Sequence, residues 1–229
     1  MPRVDGWPVV ETKMAFFDFL LGGAGGQMKR HARRIANRDA QAEDREASAH
    51  WLAEKGTEEA LLAMCSRFAL QLEHGLKDRK EKDIVFELLA EHGPRGAAVA
   101  RRWATENPNF HHAVRLVERI EGPEAAVGLL LDLLEAEQVD QEFKPEKKRN
   151  LLISLAERRS AKIVESAQRF LTDFDEGVRH AAIEALAAQE GDAALPHLAR
   201  ALQEPKEEST RIRGRLVEIF QQRKWPLPS

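Results

Sequence analysis

The apolar residues of this chain recur in one pattern that appears five times. Apolar or small side chains occupy positions x, x+1, x+4, x+7 and x+8 in windows that begin at Leu61, Gly96, Ala126, Ile163 and Ala194. At about 100° per residue, these positions share one face of an α-helix. Successive windows begin 35, 30, 37 and 31 residues apart. A helical unit that recurs at this spacing predicts a stacked array.

A second apolar pattern precedes each window and predicts a partner helix. Mostly apolar side chains stand two, three, six and seven residues beyond a reference position. The reference positions are Arg45, Asp83, Arg149, Arg179 and Arg213. The third unit fits this apolar pattern less well than the others do. In the first unit, the pattern predicts a buried face of Ala47, Ser48, Trp51 and Leu52. Glycine and proline turns such as 92–94 separate the partners, so each unit is predicted to be helix–turn–helix.

The fifth unit carries the most specific signature. It runs Phe174-Asp175-Glu176-Gly177-Val178-Arg179-His180-Ala181-Ala182, and Ala185-Leu186 and Gly191-Asp192 follow. This resembles a bacterial HEAT repeat, including the type found in phycobilin-lyase-like proteins, across roughly residues 38–224. The resemblance implies an all-α fold, namely a right-handed α-solenoid of five full HEAT-like repeats and a partial sixth. It indicates function only loosely, because HEAT arrays mostly serve as binding scaffolds.

Composition and charge fit such an array and bear on the class of partner to expect. Charged residues make up 32% of the chain, which suits wide exposed helical faces, and the formal charge of −3 gives no reason to expect a specific nucleic-acid partner. Cys65 occupies core position x+4 and is predicted to be buried. The chain has no second cysteine for a disulfide and no apolar stretch of about 20 residues, and we expect no secretory leader. A cytoplasmic location is therefore expected.

Residues 1–26 break the repeat pattern, and we predict that they form an appendage to a solenoid over residues 27–229. An apolar segment with a glycine-rich end precedes a basic stretch at 27–38, and Met14 could be the true start in place of Met1. Two alternatives stay open. The aromatic residues could cap the end of the array, or they and the basic stretch could tether the protein to a partner or an anionic membrane surface. The candidate docking residues are Phe16, Phe17, Phe19, Arg30, Arg33 and Arg34.

Position x+6 of the windows forms a second register opposite the apolar face. Its residues are Arg67, Arg102, Asp132, Arg169 and Arg200. The resemblance to HEAT arrays implies that this row lines the concave surface. Since arginine grips carboxylates and stacks on aromatic rings, we hypothesise a groove for an acidic or mixed acidic–aromatic segment of another protein. The alternative is that these arginines pair with acids of neighbouring repeats, such as Glu135.

Two charged stretches, residues 77–83 and 142–149, lie between units and are interpreted as solvated edges. Catalytic signals are weak. The glycines at 22–26 lack the Lys-Ser/Thr ending of a phosphate loop. Adjacent His111 and His112 would diverge by about 100° on a helix, so no metal or other cofactor is expected.

The favoured function is therefore a non-enzymatic protein–protein interaction scaffold. The alternative is a helical-repeat enzyme, either a HEAT-like DNA glycosylase or a phycobilin-lyase type that attaches a chromophore. Trp103 falls on core position x+7, which weighs against the glycosylase.

Overall fold

The computed structural model describes residues 26–139, 145–204 and 209–228, and in these ranges it contains twelve α-helices and no β-strand. The helices are α1 (Gly26–Ile35), α2 (Ala42–Lys55), α3 (Glu58–Ala69), α4 (Gly75–Glu91), α5 (Pro94–Glu106), α6 (His111–Glu121), α7 (Pro123–Glu135), α8 (Pro145–Ala156), α9 (Ala161–Ala167), α10 (Glu176–Ala187), α11 (Leu195–Gln203) and α12 (Thr210–Arg223). A 3₁₀ turn, Gln168–Thr172, extends α9. This architecture confirms the predicted all-α helical-repeat class.

The five apolar windows fall on α3, α5, α7, α9 with its 3₁₀ turn, and α11. The even-numbered helices from α2 to α12 are the first helices of the repeats. The order therefore gives five helix pairs and a sixth first helix, as the periodicity predicts. The turns inside the pairs use the expected residues. Gly56, Gly93, Gly122 and Gly191 have positive φ values of 58°, 54°, 96° and 69°, a region that favours glycine.

The chain divides into two compact units, and the first spans Met1–Pro123. In this unit α2, α4 and α6 pack side by side in one layer, and α3 packs on α5 in another. Helix α1 packs against both α2 and α3, so it takes the place of a second helix from an incomplete pair. Leu61, Leu62 and Leu89 are completely buried between the layers.

The second unit spans Glu124–Ser229. Here α10 packs against α8 on one side and α12 on the other, and the 3₁₀ turn contacts α10 and α11. Leu152, Phe170 and Leu186 are completely buried in its core. None of the described helices has both the length and the apolar character that a membrane crossing would need. The predicted division of the chain at residues 26 and 27 stays a prediction, because residues 1–25 lie outside the described ranges.

In the first unit, the sequence-based register of α2 is wrong by one residue. Ala47 is exposed and Trp51 is half-buried, whereas Ser48, Ala49 and Leu52 are buried. The reference position is therefore Glu46. The residue before it, Arg45, points into the core, where only 5% of its surface is exposed.

The position occupied by Arg45 recurs in every repeat, and in three of them it holds a buried cation. In each first helix, this position lies three, four and seven residues before buried positions of the same helix. The residues that occupy it are Arg45, Lys82, Phe110, Lys148, Val178 and Ile212. Each cation has an acidic partner. Arg45 Nε lies 2.7 Å from Glu81 Oε2, Lys82 Nζ lies 2.7 Å from Asp78 Oδ2, and Lys148 Nζ lies 2.5 Å from Asp173 Oδ2.

The interpretation of the charged stretches as solvated edges is wrong for these residues. In the stretch 77–83, Asp78, Glu81 and Lys82 are at most 7% exposed, because they lie on the face of α4 that also carries Val85. In the stretch 142–149, Lys148 is 1% exposed and also donates to the Gln138 and Val139 carbonyls. Residues 142–144 lie outside the described ranges.

The arginine of the HEAT-like signature has a structural role at the start of the first helices. Arg179 Nη1 donates to the carbonyls of Asp173 and Phe174 at 2.9 and 3.0 Å. Arg213 Nη2 donates to the Glu204 carbonyl at 3.0 Å. Asp175 caps α10 by accepting a bond from Val178 N at 2.9 Å. These side chains fasten α10 and α12 to the chain segments before them.

Candidate functional site

The second unit contains a groove with a volume of about 310 Å³. It lies between the α9–3₁₀ segment and α11, which are consecutive second helices. Its polar rim consists of Glu165, Gln168, Arg169, Thr172, His197, Arg200 and Glu204. Its apolar lining consists of Leu171, Ile183, Ala201 and Ile212. We call this cavity the α9–α11 groove.

The groove has this composition because the two neighbouring second helices present the same register to it. Arg169 and Arg200 are both x+6 residues, and the structure brings them to the same groove. Ile183 of α10 and Ile212 of α12 are each 1% exposed and form its floor. The groove therefore has apolar walls at depth and charged groups at its mouth.

Arg169 holds the end of the preceding second helix. Its Nη1 pairs with Glu135 Oε1 at 2.9 Å. Its Nη2 donates to the carbonyls of Leu134, Glu135 and Glu137 at 3.1, 3.1 and 2.7 Å. The last carbonyls of a helix lack partners within the helix, so the guanidinium caps α7. For Arg169, pairing with an acid of the neighbouring repeat is thus the arrangement observed.

Arg200 differs because its charge has no partner among the described residues. Its side chain is exposed, and no ion pair or hydrogen bond joins it to another residue in the described ranges. Glu165, on the opposite side of the groove, is exposed and likewise without an ion pair there. A bound chain segment could neutralise both charges, since Arg200 would accept a carboxylate and Glu165 a basic or amide group.

The x+6 residues of the first unit have other roles. Arg102, 44% exposed at its side chain, pairs with Glu58 of the preceding second helix at 2.8 Å and approaches Glu106 at 3.8 Å. Arg67 is completely buried. It therefore cannot line an accessible groove, and its predicted role in partner binding is wrong. The helical wheel placed Arg67 opposite the core, but the loop after α3 and the first turns of α4 cover this end of the helix.

Arg67 instead joins a buried ionic cluster that the sequence did not reveal. Its Nη2 lies 2.9 Å from Asp78 Oδ1, and its Nε lies 3.1 Å from Glu81 Oε2. Glu81 also receives Arg45 Nε and Nη2 at 2.7 and 2.8 Å. Lys82 completes the cluster through Asp78. Spacings of three, four and seven residues from Asp78 to Val85 are a signal that could have identified these charges as core residues.

The predicted N-terminal docking residues fall into two groups. Phe16, Phe17 and Phe19 lie outside the described residues. Arg30 and Arg33 are exposed on α1. Arg34 is half-buried, and its Nη1 lies 3.3 Å from Asp44 Oδ1.

Residues considered for catalysis occupy structural positions. Trp103 is 2% exposed and belongs to the core, as expected from its register. Cys65 is completely buried as predicted, and burial raises the pKa of its thiol to about 12. His112 stacks on Phe68 with ring centroids 4.8 Å apart, and burial lowers its pKa to about 4. The described ranges contain no group of three or more His, Cys, Asp or Glu residues that could hold a metal ion.

Comparison with known proteins assigns the repeats. Residues 136–216, which include α8 to α11, match the family described as HEAT repeats. Among solved structures, the TOG domain structure from C. elegans Zyg9 is similar, with 15% sequence identity, a TM-score of 0.49, and coverage of 95% of this chain and 88% of that one. No curated protein matches the sequence. The particular likeness to phycobilin-lyase-like repeats stays a prediction.

Proposed function

We propose that this HEAT-repeat protein is a non-enzymatic scaffold of the cytoplasm, and that its α9–α11 groove binds an extended segment of another protein. The observation that carries the proposal is the exposed charge of Arg200 at the mouth of an apolar groove, where no residue in the described ranges pairs with it. A buried or paired arginine would serve the fold alone. An exposed arginine beside an apolar groove supplies both parts of a recognition site, a charge and an anchor pocket.

The lining of the groove indicates the chemistry of the segment. A volume of about 310 Å³ is at the small end of the range for binding pockets, so we expect one large apolar or aromatic side chain to fill it. A carboxylate beside that side chain would pair with Arg200. A basic or amide group on the other side would meet Glu165. The proposed ligand is thus a mixed acidic–aromatic segment, and a purely acidic one would fit less well.

Arg169 supports the site without being its main contact. Its donors are directed at the end of α7, so it fixes one wall of the groove and adds positive potential. Replacing Arg169 would disturb that wall, and a loss of binding could then reflect the fold. Arg200 is the better probe because its side chain supports no other described residue.

A random peptide library displayed against the full chain tests this proposal. We expect enrichment of sequences that place Asp or Glu beside a large apolar residue. A charge-assisted hydrogen bond contributes about 1.5–3 kcal/mol, so Arg200→Glu should weaken the selected peptides by at least about tenfold. The matched control is Arg119→Glu, since Arg119 is also an exposed arginine in the last turn of a short helix.

Two results would contradict the proposal. One is a set of selected peptides without acidic residues. The other is equal binding of the peptides to the wild-type chain and to Arg200→Glu, while circular dichroism shows intact helices.

A further inference from the structure

We infer that the α9–α11 groove receives Phe174 of a second copy of this chain, so that two copies associate through their second units. This inference rests on the proposed groove function and names one partner for it. Three observations carry it: the exposure of Phe174 on a fixed segment, the charges beside it, and its position next to the groove.

Phe174 differs from the other aromatic residues because its ring projects into solvent. Of the four large apolar side chains that are exposed in the described ranges, Phe174 alone is aromatic, and 68% of its surface is exposed. Burying a phenyl ring is favourable, so this residue gains from any contact that covers it. A single aromatic side chain that enters a pocket is a common anchor of protein interfaces.

The segment that carries Phe174 is fixed on both sides. Asp173 is 1% exposed and pairs with Lys148, with 2.5 Å between Oδ2 and Nζ. Asp175 caps α10. The carbonyl of Phe174 itself accepts a hydrogen bond from Arg179 Nη1 at 3.0 Å. Because this backbone is already ordered, a partner would bind it at little further cost in conformational entropy.

The charges beside Phe174 complement those at the mouth of the groove. The side chains of Glu176 and Arg211 are 44% and 66% exposed, and their charged atoms lie 3.6 Å apart. An exposed pair of this kind contributes little to stability, so it can exchange partners readily. In the complex, the carboxylate of Glu176 would pair with Arg200 of the second copy. The guanidinium of Arg211 would then pair with Glu165 of that copy.

Phe174 lies next to the groove without filling it in the same copy. Leu171 and Thr172 line the groove, whereas Phe174, two residues further along the chain, does not. The bonds that fix its segment hold the ring outside. Because ring and groove are neighbours on each copy, a twofold axis would let each copy give its ring to the groove of the other. We therefore expect a closed dimer with two equivalent contacts.

Sedimentation equilibrium of the full chain tests the inference. The contact surface is small, so we expect a dimer with a dissociation constant of about 10–100 µM and a monomer in dilute solution. Phe174→Ser removes the ring from both contacts and should weaken association by at least about a hundredfold. Arg200→Glu removes one charge pair from each contact and should weaken association by a similar factor.

A matched control and a mixing experiment separate this contact from non-specific apolar association. Leu227→Ser removes another exposed apolar side chain of the same unit, 56% exposed, and should leave association unchanged. Phe174→Ser retains an intact groove, and Arg200→Glu retains an intact ring. A dimer of one copy of each therefore has one intact contact, and an equal mixture should associate about tenfold more tightly than either variant alone. Circular dichroism must show that each variant keeps its helices.

Three results would overturn the inference. The full chain could stay monomeric up to about 1 mM. Phe174→Ser could associate as tightly as the wild type, or the mixture could associate no more tightly than the separate variants.

The peptides selected for the groove distinguish a failure of this inference from a failure of the groove proposal. Phe174→Ser should bind these peptides as tightly as the wild type does, because its groove is unchanged. An excess of peptide should also dissociate the wild-type dimer. If the chain is monomeric while the peptides bind and depend on Arg200, the groove serves another protein and the self-association inference alone is wrong.

Discussion

The buried ionic cluster of the first unit gives the sharpest test of the structure. Glu81 accepts three hydrogen bonds from two guanidinium groups, at 2.7 and 2.8 Å from Arg45 and 3.1 Å from Arg67. Arg45 and Arg67 are 5% and 0% exposed, so water cannot replace the carboxylate. The change Glu81→Gln keeps the shape of the side chain and removes its charge. The two buried arginines then share one less counter-charge.

The expected cost follows from this arrangement. Removing one partner of a buried ion pair usually costs about 3–5 kcal/mol, because a buried charge stays behind without compensation. With a urea m-value of about 2 kcal/mol/M, the midpoint of unfolding should fall by about 1.5–2.5 M. Urea denaturation followed by circular dichroism at neutral pH measures this shift.

Glu87→Gln is the matched control, because Glu87 lies on the same helix and is exposed. Surface substitutions of this kind usually change stability by less than about 0.5 kcal/mol. If Glu81→Gln shifted the midpoint no further than Glu87→Gln, the cluster would not be buried and paired as described.

The same cluster determines how the stability of the fold changes at acid pH. Burial raises the pKa of Glu81, but the hydrogen bonds and charges of Arg45 and Arg67 outweigh burial and leave the pKa below its usual value. The pKa of Asp78 is lowered in the same way, by Lys82 and Arg67. A carboxyl with a lowered folded-state pKa stabilises the fold above its unfolded pKa and loses that contribution as pH falls through the folded value. Stability should therefore be constant near neutral pH and fall below about pH 4, and Glu81→Gln should reduce that dependence.

Three further predictions concern other parts of the fold, and urea denaturation measures the first two. Lys148→Met leaves a buried aspartate unpaired and should cost about 3 kcal/mol, whereas Lys147→Met breaks a partly exposed pair and should cost less than about 1 kcal/mol. An added Cβ at Gly96 would stand 2.1 Å from a backbone oxygen, so Gly96→Ala should destabilise by about 1–3 kcal/mol, while Gly128→Ala meets open space and should stabilise by up to about 1 kcal/mol. Cys65 should not react with a thiol reagent in the folded protein at mildly alkaline pH, and should react once urea unfolds it.

Much of the fold could be predicted from the sequence because apolar periodicity reports burial directly. The windows from Leu61 to Leu202 identify the second helix of each of the five pairs, and the partner pattern identifies the first helices. The predicted register of α2 is wrong by one residue because the apolar pattern treats Arg45 as a surface residue, whereas it is buried. A one-dimensional pattern treats a charge as exposed, and it cannot show that a neutralising partner lies 36 residues away.

The same limit explains what the sequence could and could not say of the site. Position x+6 placed Arg169 and Arg200 on one register, and the structure brings both to one groove. The pattern could not show that Arg169 donates to the carbonyls of α7 while Arg200 pairs with no residue in the part of the chain that the structure describes. It also could not show that Arg67, at the same register, is covered by the start of α4. These differences depend on how loops cross helix ends, which periodicity does not encode.

The most direct test of the groove proposal is hydrogen–deuterium exchange of the full chain with and without a selected acidic–aromatic peptide. The account predicts protection confined to residues 165–172 and 197–204, which line the α9–α11 groove. Protection on α1 to α6, with no change in the groove, would contradict it.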